Sequence, residues 1–351
     1  LIDQGIHMLD LFLYLGGDFD KIYASVSNLY WKLNVEDNVF ATLENTKTGM
    51  AATLHSTMTQ WRHLFSLEIF LEKGYLVLNG LKTSSNTIKM LNQRDPSQLP
   101  WAEIDVDIVI EATGIFRTRA LLNQHLDAGA KRIILTVPAK EDIDNMVVIG
   151  VNDGSLTSEH KIISNASCTT NCLAPMAMIL HDNFGIEFGV INTIHAYTND
   201  QRLADVPHSD LRRSRAAAEN IIPTTTGAAK AVGKVLPELE GKLDGIAMRV
   251  PVPDGSVVDS VFILSQDVTQ DQLNEAVYEA SQTERLSRIV EYSTLPVVST
   301  DIIGNPHSSI FDAPFTKVVQ GNMVKTLNWY DNEWGYSNRV VDLLGILDRL
   351  D

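Results

Sequence analysis

Apolar residues in the first 85 positions fall on two rhythms. Residues 4–14 place them at helical spacing. The segments 21–31, 38–44, 50–58 and 67–78 alternate them with polar residues, and Asn45, Thr48 and Gly49 supply turn residues between the middle two. One short helix followed by a mostly antiparallel sheet is the prediction. Ser84-Ser-Asn86 is the polar, turn-rich joint after it.

Past that joint the rhythm changes. Val106-Asp-Ile-Val-Ile110 is a continuous apolar run of the kind that forms a strand buried on both faces. Residues 118–128 follow helical spacing up to Gly129, and 132–136 form the next apolar run. Strand, helix, strand in that order predicts a parallel βαβ unit. A further strand is predicted over 147–151. A helix over 172–180 is entered through Asn165-Ala-Ser-Cys-Thr-Thr-Asn171. The C-terminal half mixes strands at 187–194, 247–251 and 256–265 with helices at 227–235, 270–281 and 338–350. Pro253-Asp-Gly255 between two of those strands predicts an antiparallel hairpin.

Length and charge narrow the function classes. With 351 residues the chain has room for about two domains. Its 44 acidic and 28 basic side chains leave a formal charge of −16, which argues against a broad grip on nucleic acid or anionic lipid. Two cysteines make no disulfide framework, so a reducing, cytoplasmic compartment is expected. No apolar run approaches the roughly 18 residues of a membrane helix. Residues 9–15 are apolar but lack the cationic lead and cleavage site of a secretory signal. Leu1 is not a methionine, so the text reads as starting inside a gene.

The informative chemistry is at Cys168. It stands where a loop hands over to a helix, and unpaired N–H groups of a first turn lower a thiol pKa towards neutrality. A lone cysteine is more often buried and inert. The polar neighbours Ser167 and Thr169-Thr-Asn171 weaken that reading for Cys168, whereas Cys172, among Leu173, Ala174 and Met176, fits it. Structural zinc takes four ligands, so no metal site is expected. His195 ends an apolar strand and meets the polar run Ala196-Tyr-Thr-Asn-Asp-Gln201, a suitable place for acid–base work. His125, His160, His181, His208 and His307 read as solvated helix faces or turns. Leu211-Arg-Arg-Ser-Arg215, Arg249 and Thr224-Thr-Thr-Gly227 at a helix start form an anion-binding set.

From about residue 88 to 351 the chain resembles the phosphorylating glyceraldehyde-3-phosphate dehydrogenases. The resemblance is carried by Ala166-Ser-Cys-Thr-Thr-Asn-Cys172, Ile194-His-Ala-Tyr-Thr-Asn-Asp200, Thr224-Thr-Thr-Gly-Ala-Ala-Lys230, Ala247-Met-Arg-Val-Pro251 and Trp329-Tyr-Asp-Asn-Glu-Trp-Gly-Tyr336. It implies an α/β chain: an incomplete Rossmann-type parallel βαβ unit over 86–167, an α+β catalytic domain with a large, mostly antiparallel sheet over 168–335, and a C-terminal helix over 336–351. It also implies NAD-dependent oxidation of glyceraldehyde 3-phosphate, with inorganic phosphate, to 1,3-bisphosphoglycerate. Cys168 would form the thiohemiacetal and thioester, and His195 would take the proton. Thr198 and Arg249 would hold the substrate's phosphate, and Ser167, Thr169, Arg213, Thr226 and Gly227 the attacking one. Thr113, Gly114, Thr136, Asn332 and Tyr336 would border the cofactor. Residues 197–220 resemble the family's loop across a subunit interface, which implies a homotetramer, and Val206-Pro207 resembles NAD-preferring members.

The family's glycine-rich turn is absent, since no G-x-G-x-x-G occurs anywhere in the chain. The expectation is severely weakened NAD binding and an incomplete nucleotide domain whose first strands leave an exposed, aggregation-prone sheet edge. Residues 1–85 instead resemble the C-terminal domain of the glucose–fructose oxidoreductase and inositol dehydrogenase family. That resemblance rests on Asp3-Gln-Gly-Ile-His7 and Asp10, with Asp3 and His7 at the family's sugar-side positions. The chain therefore reads as a chimera of two nicotinamide-enzyme tails. Three functions compete: the dehydrogenase, a thiol centre that binds phosphorylated aldehydes or hydrolyses acyl esters without redox turnover, and an inert fusion. Erythrose-4-phosphate dehydrogenase is a close relative ranked lower, because Ala196-Tyr-Thr-Asn and Thr226-Gly-Ala-Ala match the glyceraldehyde enzymes.

Overall fold

Alternation shows in the burial of the middle strand of the first sheet. The computed structural model describes residues 18–27, 38–48, 50–57, 68–71, 74–77 and 91–350, and its chain divides into two units, Leu1–Asn92 and Gln93–Asp351. In the first, β1 (Lys21–Ser27), β2 (Asn38–Asn45) and β3 (Met50–Thr57) form an antiparallel sheet in chain order. Ala41 and Leu43 are buried while Thr42 and Glu44 between and beside them are not, as a period of two requires. Asn45 closes the β2–β3 turn by accepting the N–H groups of Lys47 and Thr48 at 3.0 Å each. The single segment expected over 67–78 is instead a hairpin of β4 (Glu68–Leu71) and β5 (Gly74–Val77). The helix predicted over 4–14, with Asp3 and His7, and the joint at 84–86 lie outside the described residues.

The second unit opens with the predicted βαβ step. β6 (Ile108–Glu111), α1 (Arg119–Asp127) and β7 (Arg132–Leu135) lead into a four-stranded parallel sheet completed by β8 (Asn145–Met146) and β9 (Ile162–Ser164), in the order β6-β7-β9-β8. All of β7 is buried, and β6 forms an edge of this sheet among the described residues. The expected strand over 147–151 is a buried turn. Asn152 holds it by accepting from Val148 N–H at 2.8 Å and donating to Met146 O at 2.9 Å, while Asp153 accepts from Gly150 N–H. The strand role passes to β9, whose short apolar run the pattern reading did not single out.

An eight-stranded mixed sheet follows. It is built from β10 (Ile186–Ala196), β11 (Ile222–Thr225), β12 (Leu243–Val250), β13 (Ser256–Leu264), β14 (Val290–Ser293), β15 (Ser309–Asp312), β16 (Lys317–Val319) and β17 (Met323–Tyr330). Its order is β11-β12-β10-β13-β17-β15-β14, with β16 on β17. The hairpin expected at 253–255 does not form, because β10 lies between β12 and β13, parallel to the first and antiparallel to the second.

Helices cover this sheet. α2 (Cys168–Phe184) is buried continuously from Thr169 to Leu180 and shares one core with α3 (Ala228–Val235), α4 (Gln270–Ser281) and α6 (Trp334–Asp348), while α5 (Ser299–Ile302) is a single turn. α2 stops at Gly185, whose φ of +69° and whose closeness to Ser265, 2.8 Å from where a Cβ would stand, suit glycine alone. α6 begins four residues before the predicted start, since Asp331 accepts from the N–H groups of Glu333 and Trp334 at 2.9 and 2.6 Å. Among the described residues no helix is long and apolar enough to cross a membrane.

Candidate active site

In a parallel sheet the carboxyl ends of the strands share one edge, and ligands of open α/β sheets bind there. The chain leaves β9 through Asn165 and Ala166, and Ala166 is buried with φ at +54°, a left-handed backbone that costs a non-glycine residue on the order of 1–3 kcal/mol. Tyr336 donates its hydroxyl to Ala166 O at 3.2 Å. Ser167 caps α2 by accepting from Thr170 N–H at 3.0 Å, and this makes Cys168 the first helical residue.

Cys168 Sγ lies 3.4 Å from His195 Nε2, so the expected pair is formed. His195 is buried near the end of β10 and stands opposite Arg249 in the parallel register with β12. Its Nδ1 lies 2.7 Å from both Arg249 Nη1 and Ala196 O, and Arg249 Nη1 also donates to Ala196 O at 2.8 Å. A guanidinium only donates and a carbonyl only accepts, so each imidazole tautomer has a partner at Nδ1. With Arg249 as partner, Nε2–H points at the sulfur; with Ala196 O, Nε2 is free to accept. A proton taken at Nε2 makes the imidazolium, whose Nδ1–H keeps Ala196 O as its acceptor.

Burial dominates the electrostatics of the pair. It holds the His195 pKa down to about 3, with the Arg249 charge adding to the shift. It also pushes the Cys168 thiol above its ordinary range, although Arg249 and the N–H of Thr169 pull the other way. The sequence expectation of a lowered Cys168 pKa is therefore reversed in direction: burial under surrounding protein outweighs the helix start. Cys172 is buried, as its apolar neighbours predict, against Asn328 O and Ser309 Oγ, and burial drives its thiol far up.

The anion-binding residues converge beside His195. Thr198 Oγ1 donates to Asp200 Oδ1 at 2.5 Å, Arg213 Nη1 pairs with Asp200 Oδ2, and Arg249 Nη2 is 4.0 Å from Asp200 Oδ1. Arg213 Nε also donates to Thr224 Oγ1 at 3.0 Å, beside Thr226. Thr226 Oγ1 accepts from Ala228 N–H, and the space where Gly227 would carry a Cβ is open for 4 Å. At the Cys168 helix start, the Ser167 hydroxyl pairs with that of Thr170 at 2.7 Å, and the Thr169 hydroxyl with that of Tyr330 at 2.8 Å.

Of the residues expected at a cofactor, Asn332 and Tyr336 are joined to the same frame, while Thr113 and Thr136 are held by Glu111. Asn332 Oδ1 accepts from Ser256 Oγ at 2.6 Å, and that oxygen accepts from Ala196 N–H at 3.0 Å. Thr113 donates through N–H and Oγ1 to the Glu111 carboxylate, Gly114 follows at φ +70° beside open space, and Thr136 Oγ1 donates to Glu111 O at 3.2 Å. His125 corrects a prediction. It is buried, not solvated; it accepts from Trp101 Nε1–H at 3.1 Å and pairs through Nε2 with Glu111 at 3.1 Å. Burial opposes the Glu111 charge, but the donors from His125 and Thr113 overcome it and keep the carboxyl below its usual range.

Sequence reasoning missed Tyr330, Ser256 and the role of Asp200. Tyr330 is buried, and its hydroxyl bridges Thr169 and Thr193 while its ring meets His195 edge-on at 5.8 Å. Two of these three lie inside motif runs, which was the available signal. Among the described residues no group of three His, Cys, Asp or Glu side chains could hold a metal ion.

Comparison with known proteins places this site in context. Residues 167–332 match the family model "Glyceraldehyde 3-phosphate dehydrogenase, C-terminal domain", and residues 1–77 match "GFO/IDH/MocA C-terminal domain". Glyceraldehyde-3-phosphate dehydrogenase 2 of Streptomyces avermitilis is 54% identical over 264 residues, 75% of this chain and 78% of that protein. Glyceraldehyde-3-phosphate dehydrogenase of Borreliella burgdorferi is 55% identical over 276 residues, 77% and 81% of the two chains. The Bacillus subtilis glyceraldehyde-3-phosphate dehydrogenase 2 is 53% identical over 281 residues, 80% and 81% of the two.

Proposed function

Because the chain belongs to the glyceraldehyde-3-phosphate dehydrogenase family, we propose that its catalytic centre oxidises and phosphorylates glyceraldehyde 3-phosphate with NAD. The observation that carries this reading is the 3.4 Å contact between Cys168 Sγ and His195 Nε2 beside two arginines. Cys168 attacks the aldehyde carbon to give a thiohemiacetal, and the thiol proton passes to His195 Nε2 and on to the new hydroxyl. His195 then takes that hydroxyl proton as the thioester forms. Inorganic phosphate, held near Arg213, Thr226 and Gly227, cleaves the thioester to the acyl phosphate and frees the sulfur. NAD, when bound, accepts the hydride. The residues present fit its nicotinamide end: Asn332 has a buried carboxamide tied to the His195 strand, Tyr336 reaches Ala166, and the space beside Gly114 is open. No glycine-rich turn exists in the chain for the pyrophosphate, so binding is weak.

The separate matches at 1–77 and 167–332 support a chimeric chain, with segments at 1–85, 86–167, 168–335 and 336–351. Exposed Leu203, Val206 and Leu211 in the 197–220 loop support the family's homotetramer. Appearance of NADH from glyceraldehyde 3-phosphate, NAD and phosphate, lost in Cys168→Ser, tests the reading; no NADH at any NAD concentration refutes it. The weak pyrophosphate site favours one second reading, acyl-ester hydrolysis through the same thiol, and p-nitrophenyl acetate turnover dependent on Cys168 distinguishes it from an inert fusion.

A further inference from the structure

Two carboxylates stand among the groups assigned to bind phosphate: Asp210, which accepts from Thr224 Oγ1 at 3.0 Å and lies 3.6 Å from Arg213 Nε, and Asp200, the one that reaches both arginines. The Asp200 carboxylate meets Thr198 Oγ1 and Arg213 Nη1 directly and lies 4.0 Å from Arg249 Nη2, while Arg249 contacts His195. The arginine side chains are only 19% and 13% exposed, but that of Asp200 is 40% exposed, on a tight turn. Gln201, buried, fixes that turn: its backbone N–H donates to Thr198 O at 2.9 Å, and its Oε1 accepts from Thr198 N–H. The carboxylate can therefore swing to water while the backbone that carries Thr198 stays in place.

We propose that Asp200 is a specificity-determining residue of this site, an internal carboxylate that an incoming anion must displace and that selects doubly charged phosphoryl groups over singly charged oxyanions. Asp200 and Asp210, whose Oδ2 lies 3.6 Å from Arg213 Nε, together balance the two guanidinium groups, and swinging Asp200 away leaves a net charge of +1. A singly charged ligand only replaces the charge already there, and it gives up translational freedom that a tethered side chain does not have to lose. A phosphate dianion brings one more negative charge to Arg213 and Arg249 than Asp200 supplies, and its extra oxygens reach Thr198 and both arginines together. The selection thus comes from a competitor built into the chain and not from the donors alone.

This rests on the reading that Thr198, Arg213 and Arg249 hold phosphate, and the experiment separates the two claims. Inorganic phosphate and methanesulfonate, a singly charged tetrahedral anion, are titrated calorimetrically into the full chain and into Asp200→Asn. The full chain is expected to bind phosphate and to discriminate against methanesulfonate. Asp200→Asn is expected to bind phosphate about fivefold more tightly, the size of one part-exposed ion pair, and to accept methanesulfonate. Asp200→Glu, which keeps the charge, is expected to restore the discrimination and guards against a folding defect in the amide variant. Phosphate binding by the parent that is unchanged or weaker in Asp200→Asn overturns the competitor role alone. Binding that survives Arg213→Gln undiminished places the anion elsewhere and also overturns it. No phosphate binding by the parent or either Asp200 variant overturns the phosphate reading with it.

Discussion

The hydroxyl of Tyr330 lies 2.8 Å from that of Thr169, joining the last residue of β17 to the first turn of α2 one position after Cys168. The same oxygen is 2.9 Å from Thr193 Oγ1 on β10, so one buried phenol links three elements that carry the site. Tyr330→Phe keeps the ring against His195 but leaves two buried hydroxyls without this partner. Urea unfolding should show a loss of about 1–3 kcal/mol. An unchanged midpoint would mean that the threonine hydroxyls find other partners.

The resting charge state of Cys168 is open to labelling. Its thiol is pushed up by burial, and His195, held at about 3, is neutral across the ordinary range. Iodoacetamide should therefore react with Cys168 at a rate that climbs with pH through and beyond 9, about tenfold per unit, with no plateau between 5 and 8. Half-buried Cys168 should still react much faster than Cys172, which is fully enclosed. A plateau near neutral pH would reveal a thiolate–imidazolium pair.

NAD affinity tests the pyrophosphate side. With no glycine-rich turn, fluorescence titration should show no saturable NAD binding below about 1 mM. Tight binding would mean that another surface of the chain replaces the lost cradle.

Asp254 offers a stability readout. Burial, with the neighbouring Asp331 and Glu333 charges, raises its pKa from 3.8 to about 6. The folded chain thus holds this proton between pH 4 and 6 where the unfolded chain has released it, so the contribution of Asp254 to stability falls as pH rises through that window. Asp254→Asn retains an oxygen for Gly255 N–H, which Asp254 Oδ1 accepts at 2.7 Å. It should raise the melting temperature above pH 6, by about 1 kcal/mol of stability, and change little below pH 4. Equal gains at both pH values would remove charge as the cause.

Much of this was legible in the residue order, for identifiable reasons. Cys168 and His195 stand at a helix start and a strand end, positions that local pattern reveals, and 27 residues of separation did not hide their pairing. Helix α4 follows its predicted range because Thr269 and Gln272 form a capping box at its start. Failures came where distant parts decide. The 253–255 turn looks like a hairpin locally, and only the insertion of β10 between its flanking strands prevents one. Residues 147–151 have strand composition, yet Asn152 and Asp153 bend them. His125 looked solvated because nothing in its own helix announces Glu111 and Trp101. The reversed Cys168 shift has the same origin, since the amount of protein packed over a sulfur is not written in its neighbours.

The pairing of β10 with β12 has one more implication. His195 and Arg249 face each other through strands of 11 and 8 residues whose pleat sets which side chains look inward. Lengthening a loop remote from the site, such as 265–269, leaves that partnership alone, whereas adding or deleting a single amino acid in β10 between its irregularity at Ile186/Phe188 and His195 would turn the imidazole to the opposite side and put an aliphatic neighbour in its place. Lineages descended from this chain should therefore vary in length in loops away from the site and not along that stretch of β10.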